Sequence, residues 1–393
     1  IRVLDLSRVL AGPWVGQTLA DLGADVIKVE RPVAGDDTRA WGPPFFDDAD
    51  GGGRSAYFLA ANRGKSSICV NLADPEGQAL VRRLAAGVDI LIENYKVGDM
   101  AKRGLGYEEL AESNPGLIYC SITGFGQTGP LKDKPGYDFM IQGMAGLMSV
   151  TGEPGAASGG PQKVGVALAD VLTGLYSTIA ILAALSERQS SGRGQSIDMS
   201  LLDVQVAALA NQATNYLVSG EAPERLGNAH PNIVPYQTFA TADGHIIVAV
   251  GNDAQFVKFC DAIGEPNLAS DERFAANASR VANRDVLVPL LATPLAARTS
   301  AVWLTLFENT GVPAGPINRI DEVFDEPQVA ARGLRREIDG VPGIANPIRY
   351  SRSSLSYERP PPALGAQTRE VLAQRLGLSD EEIERLLAAR VIA

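Results

Sequence analysis

Apolar runs and amphipathic stretches alternate along the first half of the chain. Residues 3–6, 26–29, 68–72, 89–92 and 117–122 are short, mostly apolar segments and read as strands. They show little in-out alternation, which marks strands covered on both faces, as in a parallel sheet. Helical patterns lie between them. Residues 13–22 have Pro13 in the first turn and Gly23 past the end. Asp74-Pro75-Glu76 opens another helix that closes near Gly87. The pattern predicts an α/β fold with an open, Rossmann-like parallel sheet, whose ligands gather at the carboxyl ends of the strands.

The periodicity then changes. A long helix is expected over residues 168–188, followed by a Ser/Gly-rich linker at 190–194 and a second helix at 201–217. Residues 236–240 and 245–250 flank Asp243-Gly244 and read as a hairpin. Helical patterns at 254–263, 284–292 (weakened by Pro289) and 300–309 complete a smaller α+β domain. Beyond Arg359-Pro360-Pro361-Pro362 come two short helices, the last opened by a capping box of Ser379 and Glu382. The domains expected are 1–200, a linking helix at 201–224, 225–328, and a C-terminal segment 329–393 that returns to the large domain. Residues 164–185 are apolar enough to span a membrane. An internal Asp170 in an acidic chain favours a buried core helix, so no membrane partner is expected.

Composition narrows the chemistry. The 393 residues carry a net charge of -11, which argues against nucleic acid as a partner and requires any anionic ligand to be held by local cations. Cys69, Cys120 and Cys260 are far apart and form no disulfide or zinc pattern, which fits a reducing, cytoplasmic setting. With only His230 and His245, a His-rich metal site is not expected. The chain opens directly on a strand, with no charged segment or cleavage site of a leader.

Gly124-Phe125-Gly126-Gln127-Thr128-Gly129 matches GxGxxG after a strand, yet Pro130, Lys132 and Pro135 follow where a nucleotide-binding helix must begin. These glycines are read as shaping a loop whose backbone approaches a ligand. Asp170 near the start of an apolar helix has two readings. It is either a carboxylate placed to suit the helix dipole or a nucleophile, with Gly174 leaving room beside it and Thr173 able to orient it. Arg39, Lys96, Lys102 and Arg103 follow predicted strand ends and would form a phosphate site if they converge.

Ten stretches, in order and nearly end to end, resemble the family III coenzyme A transferases. They include RVLAGPWVGQTLADLGADVIKVERP (8–32), GDDTRAWGPPF (35–45), ENYKVGDMAKRGLGYEEL (93–110), SITGFGQTGP (121–130), VGVALADVLTGLYS (164–177) and GRGQSIDMSLLD (192–203). The resemblance implies an interlocked ring-shaped homodimer with no permanently bound cofactor, using coenzyme A and acyl-CoA as substrates. It implies Asp170 as the catalytic nucleophile and CoA contacts at Gln17, Arg39, Leu72, Asn94, Tyr95 and Met199. Lys102 stands where many members have Arg. Tyr137 fits the transferases, where related acyl-CoA racemases carry a histidine. Residues 250–253 replace the glycine-rich loop of formyl-CoA transferases, so Gly251 and Asn252 are expected beside the substrate and formyl or oxalyl groups are not. Arg225 and His230, in preference to Arg54 and Arg63, are expected to hold the free carboxylate of a dicarboxylate acceptor. The implied chemistry runs through aspartyl anhydride and aspartyl-CoA thioester, with Asp170 ionised at neutral pH and needing no base. A racemase and a non-catalytic CoA-binding protein are the alternative readings.

Overall fold

Six strands pair side by side, all parallel: β1 (Arg2–Asp5), β2 (Asp25–Glu30), β3 (Lys65–Cys69), β4 (Ile90–Glu93), β5 (Ile118–Thr123) and β6 (Ser196–Ser200). Their order is β3-β2-β1-β4-β5-β6, so the winding reverses between β1 and β4. In such sheets the carboxyl ends at the reversal diverge and leave a crevice. The structure is a computed structural model and describes residues 1–46, 53–155 and 159–393.

One face of the sheet packs Leu4, Ile27, Ile68 and Leu91 against α2 (Pro75–Ala85) and the C-terminal helices. The other packs Val3, Ile90, Ile118 and Ile122 against α1 (Ala11–Asp21) and α4 (Leu168–Ser191). Between α2 and α4 lies the short α3 (Asp138–Met144), and α5 (Leu201–Ala207) follows β6. Strand β3 begins three residues before its expected start, because Lys65, Ser66 and Ser67 are polar yet buried. Lys65 meets Asp5, Ser66 meets Arg359 and Ser67 meets Glu30, so hydrogen bonds replace the apolar signal a strand normally carries. The chain ends beside the same strand, where Ile392 bridges to Val70.

The chain divides into two compact units. The first is Ile1–Leu147, Val164–Thr214 and Gln328–Ala393; the second is Met148–Lys163 and Asn215–Pro327. This differs from the expected boundaries in assigning Met148–Lys163 to the smaller unit. The helix expected over 201–217 is two helices, α5 and Asn211–Ser219, with Ala210 between them at φ 48°. Nothing in the residue types there signals the break. In the second unit, β7 (Tyr236–Ala240), β8 (His245–Ala249) and β9 (Ala314–Pro316) form an antiparallel sheet in the order β9-β8-β7. Phe239, Phe256, Phe259, Trp303 and Phe307 form its core.

Helix α4, expected as a buried core helix, is buried on one face only. Ala169, Thr173, Gly174, Ser177 and Ile181 are buried, while Leu175, Tyr176, Ile179 and Leu182 stand exposed. Where α4 crosses α1, a Cβ on Gly174 would lie 2.9 Å from the Ala11 carbonyl oxygen and 3.0 Å from Trp14 Cβ. Gly174 therefore serves the helix crossing and does not clear space beside Asp170. Gly174→Ala is expected to destabilise the fold. Overpacking costs about 1–3 kcal/mol, against about 1 kcal/mol gained in helix propensity. A urea midpoint that rises would show that the crossing tolerates a side chain.

Candidate active site

At the reversal point the carboxyl ends of β1, β4 and β5 surround a cavity of about 550 Å³. Residues 8–11 close it from β1, residues 94–97 from β4, and the loop over 132–137 covers it beside Gly124. The turn after β1 is strained, because Val9, a β-branched residue, sits at φ 71°. Asn94 holds it there by accepting from Arg8 N at 2.9 Å and donating to the Arg8 carbonyl at 2.7 Å. Val9 N donates to Asp36 Oδ1 at 3.2 Å. The Arg8 guanidinium lies 5.3 Å above the Tyr95 ring and bonds Asp37 at 3.0 Å. Helix α1 begins in this wall without a side-chain cap, so its positive dipole end faces the cavity.

Asp170 also lines the cavity, half-buried in the first turn of α4. That turn is capped from another helix, since Asp138 Oδ1 accepts from Ala169 N at 2.8 Å and from Asp170 N at 3.4 Å. Gln142 secures Asp138 by donating to its Oδ2 at 2.8 Å, and takes the Val164 amide on its own carbonyl oxygen at 2.9 Å. Burial and then the neighbouring Asp138 charge push the Asp170 carboxyl up to about 7. Full ionisation at neutral pH, expected from the residue type alone, does not hold in this environment. Thr173 cannot orient the carboxylate, because its hydroxyl donates to the Ala169 carbonyl at 2.7 Å. The Tyr57 phenol is pushed up to about 12 by burial, then by Asp170, Asp138 and Asp36, and packs edge-on against Trp41 of the cavity wall.

Of the residues singled out in the sequence, Asp170, Asn94, Tyr95, Lys96 and Tyr137 come together here. Others lie elsewhere. Arg39 is gripped by Glu30 through two bonds of 2.7 Å and stacks 3.7 Å over Phe58, so its fork is already occupied. Gln17 is buried in α1, bonded to Ala60 O and Arg63 N. Leu72 and Met199 pack against the two core layers. Lys102 is largely exposed and Arg103 bonds back to Asp99, neither reaching the cavity wall. Arg54 and Arg63 bond Pro361 O and Asp21.

The cations that do line the cavity are Arg8, Lys96, Lys132 and Lys134. Three of them escaped sequence reasoning although the signal existed. Arg8 follows the end of the first strand, and the two lysines occupy the loop that the failed GxGxxG match had drawn attention to. Gly124 is in that loop because a Cβ would lie 2.5 Å from Gly136 Cα, so its close approach is to another backbone segment.

Arg225, His230, Gly251 and Asn252 belong to the second unit. Arg225 Nε donates to Glu153 O at 3.2 Å, and Asn252 caps the helix Asp253–Ile263 through Gln255 N. Gly251 N donates to Gln255 Oε1 at 2.8 Å. His230 Nδ1 accepts from Asn232 N at 3.0 Å, and burial with Arg284 lowers its pKa. Among the described residues no group of three or more His, Cys, Asp or Glu is arranged to hold a metal.

Comparison with known proteins gives a consistent assignment. The family description CoA-transferase family III matches residues 1–368. The succinate–glutarate CoA-transferase of Agrobacterium fabrum is 56% identical over 380 residues, covering 95% of this chain and 94% of that protein. The succinyl-CoA:glutarate CoA-transferase of Mus musculus is 46% identical over 399 residues, covering 100% and 89%. A crystal structure of a CAIB/BAIF family protein from Brucella suis superposes with a TM-score of 0.86 at 54% identity, covering 95% of this chain and 98% of that one. The chain belongs to CoA-transferase family III and is an enzyme.

Proposed function

We propose that this enzyme moves CoA from succinyl-CoA to a short dicarboxylate such as glutarate, with Asp170 as the covalent nucleophile. The observation that carries the reading is a half-buried carboxyl, held at a helix start, in a cavity flanked by Arg8, Lys96, Lys132 and Lys134. The names of the two transferase relatives support the substrate pair. In the first step an Asp170 oxygen attacks the thioester carbonyl and the CoA thiolate leaves, giving a mixed anhydride. The thiolate attacks the aspartyl carbonyl, releases succinate and forms aspartyl-CoA thioester. The acceptor carboxylate displaces the thiolate again, and attack of the thiolate on the acceptor carbonyl returns the Asp170 carboxylate. No proton is consumed, so no general base is needed once Asp170 is ionised. Tyr137 stands in the cavity wall where the related racemases carry a histidine, which supports transfer over racemisation.

The exposed stripe Leu175, Tyr176, Ile179 and Leu182 supports a homodimer that covers α4. Ile179→Glu with Leu182→Glu is expected to shift the protein to a slower-sedimenting monomer. Unchanged sedimentation would refute that role for the stripe.

Asp170→Ala is expected to abolish transfer while CoA still binds within about tenfold of the parent, or about 1.4 kcal/mol. The parent kcat/KM should rise with pH through an acid limb near 7, where Asp170 loses its proton. Asp138→Asn keeps an oxygen for the Ala169 amide and removes the like charge, so the limb should move to lower pH. Stability runs the opposite way with pH. Between the ordinary 3.8 and about 7 the folded chain holds a proton that the unfolded chain has released, so this group's contribution falls as pH rises. Asp170→Asn should therefore melt higher than the parent at pH 8 and alike near pH 3. A limb that ignores Asp138→Asn would remove the charge coupling from the mechanism.

The acceptor is tested by comparing glutarate with valerate. A free distal carboxylate needs a cationic or multi-donor partner if buried, and Arg225 with His230 are the donors proposed. Glutarate should react faster, and Arg225→Ala should narrow the difference. Preference for valerate would leave the transferase and discard the dicarboxylate.

A further inference from the structure

Strand β4 ends on Glu93, and the residues that follow it, Asn94, Tyr95, Lys96 and Val97, line the cavity. Glu93 is only 4% exposed and is not itself part of that lining. Its two oxygens bind different segments. Oε2 accepts from Tyr95 N at 2.7 Å, and Oε1 accepts from the Ser121 hydroxyl on β5. One side chain therefore ties the turn to the neighbouring strand. The tie continues outward, since Asn94 in the same turn holds both backbone groups of Arg8.

No ion pair reaches Glu93 among the described residues. The titratable groups around it are Asp99 and Tyr95 in the turn, and Tyr119 and Cys120 on β5. From β1 the residue in register with neighbouring Ile92 is Asp5, which is already paired with Lys65. Arg8 and Arg103 stand over the Tyr95 ring and are engaged by Asp37 and Asp99. A buried acid without a cation is a poor packing element. What it supplies here is two acceptors aimed at two segments.

We propose that Glu93 is a positioning residue for the CoA thioester, holding the turn over residues 94–97 in its binding geometry through the Tyr95 amide without touching the ligand. The proposal rests on the reading that this cavity takes CoA. Glu93 acts on affinity and not on the covalent steps, because the turn it holds lies at the end of β4 and Asp170 is carried by α4. Burial pushes its carboxyl up to about 7, and an anionic ligand nearby opposes its ionisation further. CoA should therefore bind more tightly to the form in which Glu93 is neutral.

Glu93→Gln keeps an acceptor for the Tyr95 amide and an amide donor for Ser121, and it cannot ionise. Glu93→Ala removes both ties. Calorimetric titration with CoA on the wild type comes first. Absence of binding would overturn the reading of the cavity together with this proposal, whereas the variants test the proposal alone. Glu93→Ala is expected to raise the Kd for CoA and the KM for the thioester by about tenfold, from the loss of the two buried hydrogen bonds to the Tyr95 amide and the Ser121 hydroxyl. The kcat should hold within about twofold, and Glu93→Gln should restore the affinity to within about twofold of the wild type. If Glu93→Ala does not fold, Ser121→Ala removes the strand tie alone and should raise the Kd by about threefold. The Asp170→Asn background removes from the pH profile the second carboxyl that is pushed up to about 7. There, adding Glu93→Gln should improve CoA affinity increasingly as pH rises from about 6 to 8, the range around both acids. A loss confined to kcat, failure of the folded Gln variant to restore affinity, or a pH-independent difference would each overturn the proposal.

Discussion

Three buried ionic contacts beneath the turns after β1 and β2 fix the backbone on which the cavity is built. Lys65 Nζ meets Asp5 at 2.8 Å, Pro13 O at 2.9 Å and Asn62 at 2.9 Å. Lys28 Nζ meets Asp36 at 2.9 Å and Ser7 O at 2.8 Å. Glu30 takes Arg39, Ser67 and the Asp36 amide. Burial pulls Lys65 down to about 8 against the pull of Asp5. Burial also works against Lys28, but Asp36, Asp5 and Glu30 outweigh it and hold its pKa above the ordinary value. Such pairs gain little net stability, because desolvation offsets most of the attraction. Removing one partner leaves a bare charge, at a cost of about 3–5 kcal/mol. Their effect is thus geometric. The carbonyls of Ser7 and Pro13 and the carboxylate of Asp36 have one arrangement that satisfies both ammonium groups. That arrangement brackets the strained Val9 and the start of α1.

The same contacts explain which parts of the site were legible in the sequence. Strand and helix periodicity located five of the six strands of the parallel sheet, and the rule that ligands meet strand ends pointed to Lys96, while Asn94 and Tyr95 came from the family resemblance. Periodicity shows where a residue falls but not what it is bonded to. Arg39 and Arg8 look alike in sequence, each a cation past a strand end. Only the folded chain shows that Glu30 occupies the first with a two-point grip, while the second stands in the cavity wall. Lys65 was hidden for the opposite reason, since a lysine inside a strand reads as surface until its three acceptors are known.

Gly174 carries a related lesson. A glycine one turn from a candidate nucleophile suggests clearance for substrate, and a glycine at a helix crossing suggests backbone contact. Both readings place it on the same face of α4. The distance to Ala11 O decides for the crossing. Because α1 begins at that contact, Gly174 sets how closely the cavity wall from β1 approaches the helix of Asp170. It bears on the site through packing.

The choice of Asp138 as the cap of α4 bears on the proposed chemistry. A serine or asparagine would satisfy the Ala169 amide without adding charge. An aspartate places a second carboxylate beside Asp170 and, after burial itself, contributes to holding the Asp170 carboxyl near 7. In the proposed reaction the anionic form carries that electrostatic strain, and acylation removes it because an anhydride or thioester is neutral. The covalent intermediate is therefore favoured relative to the free carboxylate by the interactions that raise the pKa. A carboxylate with a pKa near 7 is also more basic than the ordinary acid it competes with, and so a worse leaving group from the mixed anhydride than succinate or glutarate. Attack of the thiolate on the aspartyl carbonyl then expels the small acid and retains the enzyme ester. In the proposed cycle burial and one like charge thus act in the same direction, favouring the enzyme-bound thioester over the starting acyl-CoA and, because the last step must expel Asp170 from the acceptor anhydride, over the product acyl-CoA as well.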